Sequence, residues 1–132
     1  MILLPPTIIT TAQANQLSQV IDIGGNTPRM VTAIVKFLYG SGGTSVDVYT
    51  QTSFDNSFWM DVFDIQVTTA AATKLASTGP VTTGAVATLT DGTLAANTAK
   101  NGIIGRFWRV KWTSVGTYAG ATSLEVDLFG SN

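Results

Sequence analysis

The chain has no cysteine and no histidine. Without cysteine there are no disulfides and no thiolate metal sites. Without histidine the usual general base near neutral pH and the commonest metal ligand are both missing. Together these absences remove Cys–His and Ser–His–Asp nucleophilic sites. Charge is also scarce: charged residues make up 11 % of the 132 residues, against about 25 % in an ordinary soluble domain. The seven basic residues are scattered, the eight acidic ones form no tail, and the net charge is -1. Nucleic-acid binding needs a basic stripe, so no nucleic-acid partner is expected. No apolar run approaches the ~20 residues of a membrane span, and no membrane partner is expected. Met1-Ile2-Leu3-Leu4 is halted by Pro5-Pro6 and lacks the basic segment and the apolar length of a signal peptide. The expectation is a protein made in the cytoplasm without a targeting signal.

What remains is 45 % hydrophobic and rich in threonine, alanine and glycine. Such a balance folds, and Thr, Val and Gly suit pleated strands and tight turns. Residues 1–16 read as an extended N-terminal arm, because Pro5-Pro6 forbids a helix and favours extended backbone. Ile2, Leu3, Leu4, Ile8 and Ile9 give it five large apolar side chains with no local partner. Either the arm is a strand packed on its own core, or it docks on a neighbouring subunit. On the second reading, deleting residues 1–12 leaves the sandwich folded, because the hairpins lie downstream.

Residues 17–132 alternate with the period of strands. Leu17, Gln19, Ile21 and Ile23 share a face, ended by Gly24-Gly25. Val31, Ala33, Val35, Phe37 and Tyr39 share another, with Ile34 and Leu38 opposite, which predicts a central strand. Gly40-Ser41-Gly42-Gly43 is a turn. Val46, Val48, Thr50 and Thr52 pair with the run from Trp59 to Val67 as a hairpin around Asp55-Asn56-Ser57. From Thr68 to Gly105 the pattern weakens; short strands are expected near Thr73–Ala76 and Val86–Leu89, then a long loop after Asp91. The last two strands carry Trp108, Val110 and Trp112, then Leu124, Val126 and Leu128. Folding them about Tyr118 as a hairpin sets Arg109 opposite Asp127 and Lys111 opposite Glu125, satisfying both faces in one register. The fold class is all-β, a β-sandwich or jelly-roll-like single domain with an extended N-terminal arm.

Carboxylate-only chemistry needs two convergent acids. Here the acids sit in turns or alternate with core residues, so no catalytic residue and no enzyme activity is expected. Asp91-Gly92 with Asn97 and Asn101 offers one carboxylate, fewer than a calcium loop uses; no metal and no cofactor is expected. Ser53-x-Asp55-x-Ser57-x-Trp59 resembles the Asp-box, Ser-x-Asp-x-Gly-x-Thr-Trp, a motif that stabilises a β-hairpin turn and is not catalytic. Its serine and aspartate can accept turn N–H bonds, and Trp59 is expected to anchor the turn in the core. Trp108 and Trp112 share the core face of Val110. Phe58, Phe107 and Phe129 fall on the opposite faces and, with the arm, are the candidate partner-binding residues.

The run Val46-Asp47-Val48-Tyr49-Thr50-Gln51-Thr52-Ser53-Phe54-Asp55, then Trp59-x-Asp61-Val62, Asp91-Gly92-Thr93-Leu94-Ala95, and Arg109-Val110-Lys111 through Gly116-Thr117-Tyr118-Ala119-Gly120, resembles a group of small tailed-bacteriophage virion structural proteins. The resemblance implies a minor capsid or decoration (cement) protein on the capsid surface. It further implies a homo-oligomer, specifically a trimer, and contact with the major capsid protein. It carries no catalytic residues. The alternative is a carbohydrate-binding or tail-tip adhesion module.

Overall fold

The computed structural model describes residues 1–79 and 86–132. Its strands in chain order are β1 (Ile2–Ile8), β2 (Gln16–Leu17), β3 (Ile21–Asp22), β4 (Met30–Leu38), β5 (Ser41–Gly42), β6 (Ser45–Ser53), β7 (Met60–Val67), β8 (Ala72–Thr78), β9 (Thr98–Ala99), β10 (Phe107–Val115), β11 (Tyr118–Ala119) and β12 (Ser123–Ser131). One sheet has the order β1-β12-β4-β8. The other has the order β2-β10-β6-β7-β9, with β3 also on β10, and β5 and β11 form a small ribbon. Among the described residues there is no helix.

The two sheets close on one core. Val31, Ala33, Val35 and Phe37 of β4 and Leu124, Val126 and Leu128 of β12 face Val46, Val48, Phe63, Ile65, Trp108 and Val110 across it. Alternation is the cause: every second residue of each strand points inward. Trp108 and Trp112 are buried as expected, their indole N–H groups reaching Gly105 O at 3.0 Å and Gln13 Oε1 at 3.4 Å. β4 lies between β12 and β8, the central position its two apolar faces predict. The β6–β7 hairpin also forms as read, with a register shift between Thr50 and Gln51.

Several sequence expectations are corrected. β10 and β12 are not a hairpin. β10 lies between β6 and the β2–β3 segments, and β12 lies between β1 and β4, in the opposite sheet. Arg109 therefore sits beside Gln51, and Asp127 pairs with Lys36 at 2.9 Å. Tyr118 is no turn tip: it is buried and stands edge-on to Phe37 and Tyr39. The chain can cross there because Gly43 has φ near +70°, and a Cβ on it would fall within the Tyr118 ring. Leu17 to Ile23 is two bridges on β10 rather than one strand, and Leu17 is exposed. A strand does form at Ala72–Thr78, but Val86–Leu89 is irregular, with Val86 and Leu89 in solvent. Pro80 lies outside the described residues.

The N-terminal segment is a strand of the sandwich, not a free arm. β1 pairs with β12, with register shifts on both sides of Leu4. Bulges of this kind let neighbouring residues turn to the same face, and Leu3 and Leu4 are both buried. Pro5 and Pro6 are accommodated because β1 is an edge strand. Ile9 is buried as well, and residues 9–15 cross to the second sheet, where Gln13 O accepts the Ser114 N–H at 2.7 Å.

Candidate functional site

Exposed apolar side chains lie at both ends of the sandwich: Ile8, Leu38 and Val115 at one, Phe54, Phe58, Met30 and Phe129 at the other. Phe107 opens β10, opposite Ser53 of β6 and Asp22 of β3. Met30 opens β4 opposite Ser131, and Phe129 stands opposite Thr32. The β6–β7 turn and the residue 22–30 loop belong to the same end.

The turn is built by Asp55. Its Oδ1 accepts the N–H groups of Ser57 and Phe58, both at 2.9 Å, and lies 3.1 Å from Ser53 Oγ. These bonds, first that from Phe58 and then that from Ser57, hold the Asp55 carboxyl below its ordinary range. The Asp-box reading of Ser53, Asp55 and Ser57 thus describes the turn. Trp59, however, is not its core anchor: it is half-buried on the outside, with the Arg109 guanidinium 4.2 Å from its ring centre. Phe54 and Phe58 project from the turn, 62 % and 74 % exposed.

Beside the turn, Arg106 grips Asp22 through both carboxylate oxygens at 2.7 and 2.8 Å and covers Phe107 at 5.3 Å. That bidentate contact holds the Asp22 carboxyl down at about 2. Next to this pair a pocket of about 220 Å³ opens between the sheets, lined by Ile23, Pro28, Val31 and Leu128 with Asn26, Gly130 and the chain ends.

The outer face of the β2-β10-β6-β7-β9 sheet is polar and covered. Gln51, wholly buried, donates to Asp61 Oδ1 at 2.8 Å and Asp91 Oδ1 at 2.7 Å, and accepts from Arg109 Nε at 2.8 Å. Asp61 accepts the N–H groups of Gly92, Thr93 and Leu94 and so binds the loop onto the sheet. Lys111 Nζ reaches Asp91 at 2.9 Å. Asp64 lies deeper. It is 1 % exposed, and among the described residues neither carboxylate oxygen has a hydrogen-bond partner. Burial, then the charges of Asp47 and Asp61, push it up to about 7.

The loop the sequence singled out for a cation is already tied to the sheet. Asp91 is engaged by Gln51 and Lys111, and Asn97 Oδ1 accepts the Gln66 N–H at 3.1 Å. Among the described residues no three acids, cysteines or histidines converge in metal-binding geometry.

The partner-binding residues expected from sequence divide. Leu3, Leu4 and Ile9 are core and unavailable, whereas Ile2 and Ile8 are about half exposed at opposite ends of β1. Phe58 and Phe129 are exposed and Phe107 is partly so, and the fold brings all three to one end. The pocket and the exposed Phe54 were missed. Phe54 shares the turn with Phe58 and was legible there; the pocket joins residues from three distant segments and left no local signal. Compared with protein-family models, curated proteins and solved structures, the chain matches none of them.

Proposed function

We propose that this chain is a non-enzymatic structural module. In this reading it is a virion component of the minor-capsid or decoration type that its sequence resembles, and it works through contacts with other protein subunits. The observation that carries the reading is exposed apolar surface: Phe54, Phe58, Phe129 and Met30 at one end and Leu38 and Ile8 at the other stay in solvent outside a filled core. Large apolar patches on a stable domain mark interaction surfaces.

The strand order supports the same reading. With β2 and β3 counted as one interrupted strand and the bridges of β5, β9 and β11 set aside, eight strands remain. They run first–eighth–third–sixth in one sheet and second–seventh–fourth–fifth in the other. We read this as jelly-roll order, an architecture used by viral capsid and lectin domains alike. A fold does not fix a function, so the exposed apolar surface and not the fold carries the argument. The alternative, a carbohydrate-binding or tail-tip adhesion module, draws on half-exposed Trp59, but one face of that ring is already taken by Arg109.

The test is to purify particles from cells that express the chain with its neighbouring genes and to locate it by mass spectrometry and electron microscopy. Stoichiometric, regularly spaced protein on the capsid is expected. Absence from particles together with selective glycan-array binding would favour the adhesion module.

A further inference from the structure

We infer that Asp64 is a pH-sensitive latch: while its carboxyl is protonated the segment 92–99 stays shut over the outer face of β7, and when it ionises that segment opens. The latch goes beyond the structural-module reading and does not depend on it.

Geometry carries it. Phe63 and Ile65 point into the core, so alternation turns Asp64 to the outer face of the sheet. It is nevertheless buried there, and among the described residues its oxygens accept no hydrogen bond. A neutral carboxyl tolerates such a place, whereas a carboxylate must be paired or hydrated. Hydration requires a neighbouring element to move. β6 on one side is laddered to β10 along its whole length, from Ser45 to Ser53. β9 on the other side is a bridge of two residues, with Thr98 directly opposite Asp64. The chain reaches β9 through two clamps: Asp61 accepts the Gly92, Thr93 and Leu94 N–H groups, and Asn97 Oδ1 accepts the Gln66 N–H. Between and beyond the clamps residues 95–99 are exposed. A segment with few buried contacts opens more cheaply than the sheet beneath it. A recess of about 140 Å³ beside β9, lined in part by Asp64, Asn97 and Thr98, gives water a short path once β9 shifts.

The surrounding charges oppose ionisation in the closed form. Asp47 on β6 and Asp61 on β7 are both acidic, and the Tyr49 hydroxyl opposite stays neutral up to about 12. The nearby cations are committed elsewhere. On β10, Arg109 holds Gln51 and Lys111 holds Asp91. Lys74 of β8 donates to Gln66 O at 2.7 Å, and Lys100, just after β9, donates to Thr88 O. Residues 92–99 bring no titratable side chain of their own. Burial, then Asp47 and Asp61, hold the proton on Asp64 until about pH 7. The closed form therefore binds this proton more tightly than the open form. Opening is least favourable below about pH 4 and grows easier as pH rises towards about 7.

The experiment is amide hydrogen exchange of the whole chain between about pH 5 and pH 8, with each rate divided by that of an unstructured amide at the same pH. The reporters are Gly92, Thr93 and Leu94, bonded to Asp61, and Lys100, bonded to Val62 O. In the wild-type chain their protection should fall about tenfold or more over this range. It should also lie below that of β4 and β12 amides and stay insensitive to low urea, because a local opening exposes little surface. Asp64→Asn should abolish the fall. Asp47→Asn keeps the latch but removes a neighbouring charge, so the fall should move to lower pH; an asparagine can still accept the Gln66 Nε2 bond that Asp47 accepts at 3.0 Å. Wild-type protection that does not change with pH overturns the inference, and this result needs neither variant. So does an Asp64→Asn chain with an undiminished fall. So do reporters that match β4 and β12 in protection and urea dependence, since the segment would then open only when the whole chain unfolds.

Discussion

Tyr49 and Asp64 stand directly opposite each other on β6 and β7, both buried, and no hydrogen bond joins them. Burial, then the carboxylates of Asp64, Asp47 and Asp61, push the Tyr49 hydroxyl up to about 12. Asp64 itself keeps its proton until about pH 7, against an ordinary value of 3.8.

This pair predicts a stability slope. The folded chain holds the Asp64 proton more tightly than the unfolded chain does. The benefit is fully present below about pH 4 and is lost as pH rises through about 7, at up to ~1.4 kcal/mol per pH unit. Asp64→Asn removes the titration and gives the surrounding oxygens an N–H donor. Urea melts should show the variant more stable than wild type at pH 8, by a few kcal/mol at most, with the difference shrinking towards pH 5. Equal slopes in the two proteins would mean that Asp64 ionises normally.

Asp61 predicts local release. Its carboxylate takes the Gly92, Thr93 and Leu94 N–H groups at 2.9–3.2 Å, and its own N–H donates to Thr90 O at 2.8 Å. Asp61→Ala strands those donors and the Gln51 amide, at about 1–3 kcal/mol for each buried group left unpaired. Hydrogen exchange should accelerate at Gly92, Thr93 and Leu94 well before it does in β4 or β12. Uniform acceleration across the chain would show that the loop and sandwich unfold together.

The Asp55 turn predicts coupling between fold and surface. Asp55→Ala leaves the Ser57 and Phe58 N–H groups to solvent, lowering the melting temperature by a few degrees. Because the folded carboxyl lies below its ordinary range, this contribution is present above about pH 4 and fades on acidification. The same change should loosen Phe58, read as faster hydrogen exchange at Ser57 and Phe58. Unchanged exchange there would argue that the turn holds without the carboxylate.

β1 predicts opposite outcomes for adjacent residues. Leu3 is wholly buried, while Ile2 points to solvent. Leu3→Ala should cost about 2–5 kcal/mol and Ile2→Ala no more than ~0.5 kcal/mol. Deleting residues 1–12 removes Leu3, Leu4 and Ile9 from the core, each worth roughly 1.5–3 kcal/mol. That is a large part of the ~5–15 kcal/mol that holds a domain together. The truncated chain should therefore lose its cooperative melt, contrary to what a detachable arm implies. A sharp transition in the truncated protein would restore the arm.

Much of the candidate site was legible in part. Parity placed Phe58, Phe107 and Phe129 outside the core before any topology was known, because a strand sends alternate side chains to opposite faces. Parity is silent on where along the molecule those residues meet. Met30 and Phe129 share a sheet face only because β4 and β12 are neighbours, and Ile23 meets Val31 and Leu128 only because the two sheets close on each other. Asp64 looked like one more outward-facing acid; the residues that bury it come from β6, β9 and the loop after Asp91.

The sequence by itself determined the long strands β4, β6, β7, β10 and β12, their inward faces and the lack of His or Cys chemistry, since these depend on residue type and local spacing. Only the tertiary structure decided which strands are neighbours. Trp108, Val110 and Trp112 can meet Leu124, Val126 and Leu128 beside them in one sheet or facing them across the core. Both arrangements bury the same six side chains, so hydrophobicity does not distinguish them. The charged faces do not either: Asp127 finds Lys36 as readily as it would have found Arg109, so an ion pair forms in either arrangement. What chose is non-local. Tyr118 must be buried against Phe37 and Tyr39, which carries the chain over Gly43 to the other sheet, and β1 must cover Val126. Those contacts exist only when the whole sandwich is closed.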